Sequence, residues 1–137
     1  MLQVATKILI VDDLATNLLL LEIGLKQDGL EFVRAYDGAQ ALELSRESEY
    51  ALILMDIRMP VMSGSEAIEA IRNEPENPNN NTPIIIITAD QSTIINSQNY
   101  ALDVLEFISK PIDIFYLRTK VGNILDAYRR TRSLSGA

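Results

Sequence analysis

Side chains suited to phosphate and metal chemistry stand where apolar runs of this sequence end. Asp12 and Asp13 follow Ile8–Val11, Asp56 follows Leu52–Met55, Thr88 follows Ile84–Ile87, and Lys110 follows Val104–Ser109. A carboxylate at the carboxyl end of a buried strand sits at the rim of the crevice where open α/β sheets place their chemistry. Asp12, Asp13 and Asp56 gathered at one crevice would repel one another unless a cation sat among them. Hard oxygen ligands with room for water suit Mg²⁺. Thr88 adds a hydroxyl and Lys110 a fixed positive charge. The set then holds a nucleophilic oxygen, a metal site, a cation and a hydrogen-bond donor, the parts that phosphoryl transfer uses. Each residue also has a plain structural role open to it. Asp56 can cap the next turn, Asp12-Asp13 can cap a helix, Thr88 can be a β-branched strand end and Lys110 a solvated charge. Their conjunction at four of five strand ends favours a shared site.

The elements that would gather these residues follow from periodicity. Strands are expected at Ile8–Val11, Glu31–Tyr36, Leu52–Met55, Ile84–Ile87 and Val104–Ser109. Helices are expected at Ala15–Gln27, Ala39–Glu49, Glu66–Asn73, Gln91–Leu102 and from Ile114 onward. This alternation implies an α/β fold, a doubly wound five-stranded parallel sheet in the order 2-1-3-4-5 with five helices. In that order the chain reverses direction between strands 1 and 3, whose ends carry Asp12-Asp13 and Asp56.

Asp13 or Thr16 is available near the N-terminus of the first helix, and Asp28-Gly29 to stop it. Leu18, Leu21 and Leu25 share one face of it, while Leu19, Leu20 and Ile23 fall outside that stripe. Those three either dock a helical partner or pack under neighbouring loops. Glu74 to Thr82 is Pro- and Asn-rich, and a mobile polar loop is expected there. The helix at 91–102 is poor in apolar residues. In the last helix Ile114, Leu117, Val121, Ile124 and Tyr128 keep a 3-4-3-4 spacing that suits a coiled-coil seam as well as a core stripe.

Size and composition bound the rest. The 137 residues suit one domain over residues 7–128, after a tail at 1–6 and before an extension of the last helix, or a linker to an absent module, at 129–137. A net charge of -7 argues against direct nucleic-acid binding. The chain has no Cys, so disulfide and thiolate chemistry are excluded. It has no His either, which removes the commonest general base and any histidine phosphodonor of its own. No apolar run approaches a membrane span, so a soluble, cytoplasmic protein with no membrane partner is expected.

Four stretches then carry a resemblance. Ile-Leu-Ile-Val-Asp12-Asp13, Leu-Met-Asp56-Ile-Arg-Met-Pro60-Val-Met-Ser-Gly64, Ile-Ile-Thr88-Ala89 and Phe107-Ile-Ser-Lys110-Pro111 resemble the receiver domain of two-component response regulators, from about Lys7 to Asp126. The resemblance implies a flavodoxin-like receiver fold in which Asp56 accepts a phosphoryl group from a partner's phosphohistidine. It implies Mg²⁺ held by Asp13, Asp56 and the backbone carbonyl of Arg58, with Asp12 acting through water. Lys110 would pair with the phosphoryl oxygens, and Thr88 with Phe107 would form a switch that changes the surface made by the helix expected at 91–102, the fifth strand and the last helix. A cis bond between Lys110 and Pro111 is also implied. Arg58 and Asp90 occupy positions that flank the phosphoryl site, where they could modulate dephosphorylation. The partners implied are a sensor histidine kinase or a histidine phosphotransfer protein, and an output or kinase module beyond residue 137. Homodimerisation through the last two helices is open. Asp103, in place of a glycine usual before the fifth strand, and Leu105, where a polar residue is common, depart from the pattern.

Rival readings are weaker. Haloacid-dehalogenase-type phosphatases need a second Asp two residues after the nucleophile, and this chain has Arg58 there. A metabolic enzyme is not expected, only self-phosphorylation and autodephosphorylation at Asp56. No glycine-rich P-loop and no GxGxxG supports nucleotide binding, and a flavodoxin-like cofactor binder would need its phosphate loop. The alternative function is an interaction module that keeps the fold and no longer receives phosphate.

Overall fold

Five short apolar strands pair in parallel as one sheet, in the expected order β2-β1-β3-β4-β5. They are β1 (Thr6–Val11), β2 (Leu30–Ala35), β3 (Leu52–Met55), β4 (Ile84–Thr88) and β5 (Glu106–Ser109). The computed structural model describes residues 5–89 and 102–136. Among the described residues there are four helices, α1 (Ala15–Leu25), α2 (Gly38–Glu47), α3 (Gly64–Asn73) and α4 (Ile114–Gly136). The helix expected at Gln91–Leu102 lies outside them, apart from Leu102, which is not helical. No described helix is long and apolar enough to cross a membrane.

Successive strand residues point to opposite faces, so each strand feeds two cores. Ile8, Ile10, Leu52, Leu54, Ile85 and Ile87 meet the α1 and α4 stripes on one face. Leu9, Val11, Ile53, Met55, Ile84 and Ile86 meet α2 and α3 on the other. All of β3 and β4 is buried, because both faces of these central strands are covered. In α4, Leu117, Val121 and Leu125 are buried, with Ile114, Ile124 and Tyr128 packed half-buried against the same core. The 3-4-3-4 spacing is therefore a core stripe of this domain rather than a coiled-coil seam.

Within the loop expected to be mobile, three polar side chains form a buried plug. Asn77, Asn79 and Thr82 are only 4%, 0% and 7% exposed. Asn79 Oδ1 accepts from Tyr50 N at 2.8 Å and Thr82 Oγ1 at 2.9 Å, and its Nδ2 donates to the Ser45 and Ser48 carbonyls at 2.6 and 2.7 Å. Asn77 Nδ2 donates to Ser45 Oγ at 2.8 Å and Glu74 Oε1 at 3.0 Å. An amide carries donor and acceptor on one short stem, so it can satisfy backbone groups inside a core.

Segment ends moved too. The N-cap of α1 is Leu14, with no side-chain cap from Asp13 or Thr16. Its N–H donates to Asp12 Oδ1 at 2.9 Å. α1 stops at Leu25, before Asp28-Gly29, and Gly29 at φ 78 makes the turn into β2. β5 begins at Glu106 rather than Val104. Just before it, Arg72 Nε and Nη2 hold the Asp103 carbonyl at 3.1 and 2.9 Å, so the unusual Asp103 is clamped to α3.

Candidate functional site

The register of the two central strands creates the site. Val11 of β1 lies opposite Met55 of β3, which leaves Asp12 and Asp56 side by side just beyond the sheet. Backbone bonds continue the pairing there, Asp56 N to Val11 O at 3.0 Å and Asp12 N to Ala35 O at 3.1 Å. Lys110 N bonds Thr88 O at 3.0 Å at the matching ends of β4 and β5. Oxygens of Asp12, Asp13 and Asp56 all lie within 4.8 Å of one another. Lys110 Nζ reaches 3.0 Å from Asp12 Oδ2 and 3.2 Å from Asp56 Oδ2. Thr88 is buried and shares a hollow of about 330 Å³ with Asp56, Arg58 and Ala89. Phe107 packs half-buried against the α2–α3 core. The Lys110-Pro111 peptide is cis. Asp90 lies outside the described residues.

Charge balance at the site is uneven. Burial pulls the Lys110 ammonium toward a lower pKa, but its hydrogen bond to Asp12 and the charges of Asp56 and Asp12 outweigh this and leave it raised. Lys110 is thus held as a cation between two carboxylates. One ammonium against three acidic groups leaves the cluster negative. Its donors are all oxygens, Asp13 is exposed, and Asp56 is only partly covered, so the residues present fit a hard divalent cation such as Mg²⁺.

The loop after Asp56 is pinned against the strand end. Arg58 N donates to Asp56 Oδ1 at 3.2 Å, and Gly64 N to Ile57 O at 2.9 Å. A Cβ on Gly64 would lie 2.5 Å from the Asp56 carbonyl oxygen and 2.9 Å from Ile57 Cα, so this position needs glycine. Ser63 and Glu66 close a capping box at the start of α3, which fixes the loop's far end. Within this loop, exposed Val61 is held at φ 68, a strained conformation for a β-branched residue.

From the site an apolar cavity of about 490 Å³ runs back along α1, lined among others by Leu20, Ile23, Gly24, Ile112 and Ile114. Leu19, Leu20 and Ile23 are 48%, 65% and 65% exposed, so they do not pack under neighbouring loops. Sequence reasoning missed two supporting residues. Asn17 donates its amide to Asp12 Oδ2 at 3.1 Å. Gly38, whose Cβ would lie 2.5 Å from the Met62 carbonyl, lets α2 approach the loop after β3. An amide one turn into the helix after Asp12-Asp13 was the only available signal for the first, and the Asp37-Gly38 turn for the second.

Known proteins are similar to this chain in sequence and fold. Response regulator ArlR of Staphylococcus saprophyticus is 35% identical over 122 residues, covering 88% of this chain and 52% of that protein. Hybrid signal transduction histidine kinase I of Dictyostelium discoideum is 35% identical over 116 residues, 81% of this chain and 7% of that protein. The chain therefore spans about half of one curated relative and a small part of the other. The receiver domain of a sensor histidine kinase from Pseudomonas aeruginosa, solved with a magnesium ion coordinated in its active site cleft, superposes with a TM-score of 0.76. It is 26% identical, over 89% of this chain and 98% of that one. A family model for the response regulator receiver domain matches residues 8–122, and this chain belongs to that family.

Proposed function

We propose that this domain takes a phosphoryl group from a partner's phosphohistidine onto Asp56. The observation that carries this reading is the Lys110 ammonium bridging Asp12 and Asp56, 3.0 and 3.2 Å away, within a cluster of three carboxylates. An Asp56 oxygen attacks phosphorus, the P–N bond breaks, and its electron pair returns to the donor imidazole, which this chain, lacking His, must find on another protein or domain. Asp13, Asp56 and the backbone carbonyl of Arg58 would hold Mg²⁺, with Asp12 acting through water. When bound, the ion supplies positive charge for the carboxylates and the incoming phosphoryl oxygens. Lys110 then turns from the carboxylates to those oxygens. Thr88 follows, and Phe107 converts the change into a different outer surface around the segment 91–102, β5 and α4. Arg58 and Asp90 modulate loss of the phosphoryl group to water.

The partner is a sensor histidine kinase or a histidine phosphotransfer protein, received on the exposed Leu19, Leu20 and Ile23 of α1. The relatives' greater length supports an output or kinase module joined to residues 7–128 through 129–137. The domain works in the cytoplasm, with homodimerisation through the segment 91–102 and α4 as a further arrangement. To test the central step, the protein is incubated with Mg²⁺ and phosphoramidate and its intact mass recorded. A gain of one phosphoryl group, absent without Mg²⁺ and in Asp56→Asn, is expected. No gain in the wild type would leave a non-phosphorylated interaction module.

A further inference from the structure

Asp12 is the most enclosed of the three site carboxylates, 4% exposed, and the protein occupies both of its oxygens. Oδ1 accepts from Leu14 N at 2.9 Å, and Oδ2 accepts from both Asn17 Nδ2 at 3.1 Å and Lys110 Nζ at 3.0 Å. We infer that Asn17 is a positioning residue that keeps Asp12 oriented at the metal site, before as well as after Lys110 changes partners. The inference rests on the receiver reading given above and adds a residue to it.

Lys110 divides its ammonium between Asp12 and Asp56, so any move toward a group carried on Asp56 loosens its hold on Asp12. A buried carboxylate that loses a charged donor becomes costly and free to turn. Asn17 sits on the first turn of α1 and bonds Asp12 directly, so its bond does not depend on Lys110 and survives that exchange. Only its NH₂ can face an ionised carboxylate, which accepts and does not donate. The amide is neutral, so it orients Asp12 without adding a second fixed cation to compete with a metal ion. Outer hydrogen-bond partners around a metal site are worth a tenfold or larger change in affinity.

The test measures Mg²⁺ binding to the whole chain by titration calorimetry with no phosphodonor present. Asn17→Leu keeps the volume and removes the donor, and its Kd is expected to rise about tenfold. Asn17→Gln keeps an amide and should stay within about threefold of wild type. Asn17→Ala, at a position where helix propensity favours alanine, should repeat the loss should the leucine variant fold poorly. Leucine and alanine variants that bind Mg²⁺ as tightly as wild type, with the glutamine variant no different, would overturn the inference. Failure of the receiver reading itself has a separate signature, a wild type that binds Mg²⁺ and never gains a phosphoryl group.

Discussion

Replacing Asn79 with Leu should remove a large share of the stability without touching the acidic site. Asn79 is fully buried and serves two main-chain groups away from solvent, the Tyr50 N–H at 2.8 Å and the Ser45 carbonyl at 2.6 Å. Leaving each without a partner costs about 2 kcal/mol, or about 4 kcal/mol together. Leucine recovers roughly 1 kcal/mol through its apolar surface, so the net loss is about 3 kcal/mol. Domains of this size hold about 5–15 kcal/mol in all. With a urea m-value near 2 kcal/mol/M, the midpoint should fall by about 1.5 M at unchanged m. Equilibrium unfolding followed by circular dichroism reads both. Asn81, on the same loop but exposed, provides the control, and Asn81→Ala should stay within about 0.5 kcal/mol. A loss below about 1 kcal/mol for Asn79→Leu would refute the buried-plug reasoning.

Three other outcomes follow from the geometry. Gly64→Ala would push a Cβ to 2.5 Å from the Asp56 carbonyl oxygen, so the loop and Asp56 must shift; phosphorylation by phosphoramidate should slow by about 10²-fold. Val61→Gly relieves the positive φ on an exposed residue and should raise stability by about 1 kcal/mol in thermal unfolding, against no change if the loop carries no strain. Hydrogen bonds from Arg46 and then Asn77 hold Glu74 at about 2, below its ordinary 4.5. A lowered carboxylate pKa stabilises the fold above the unfolded value, so the advantage of wild type over Glu74→Gln should be constant above about pH 5. It should shrink as pH falls from 4.5 through about 2, read as the difference in urea midpoints across that range.

What the sequence made legible was whatever depends on strand ends. Asp12, Asp56, Thr88 and Lys110 each stand at the end of an expected strand, and parallel pairing must bring such ends to one edge of the sheet. The strand order follows from the same alternation of elements. Residues whose role depends on three-dimensional reach were not legible. Asn79 looks like any loop asparagine until Tyr50, Ser45 and Ser48 close around it. Asn17 reads as one polar residue in a leucine-rich helix, and only the turn at Leu14 brings it back onto Asp12. The last helix shows the opposite case, a strong pattern with two readings. Burial of Leu117, Val121 and Leu125 against β1, β3 and β4 decides between them.

As proposed, Asp56 is the acceptor in a site that Lys110 and a divalent cation complete. Fragment mass spectrometry after exposure to phosphoramidate, with Mg²⁺ and again after chelation, tests this most directly. One acyl phosphate is expected, located on Asp56, dependent on Mg²⁺ and much reduced in Lys110→Met. A phosphoryl group on another residue, equal labelling after chelation, or full labelling of Asp56→Asn would contradict it.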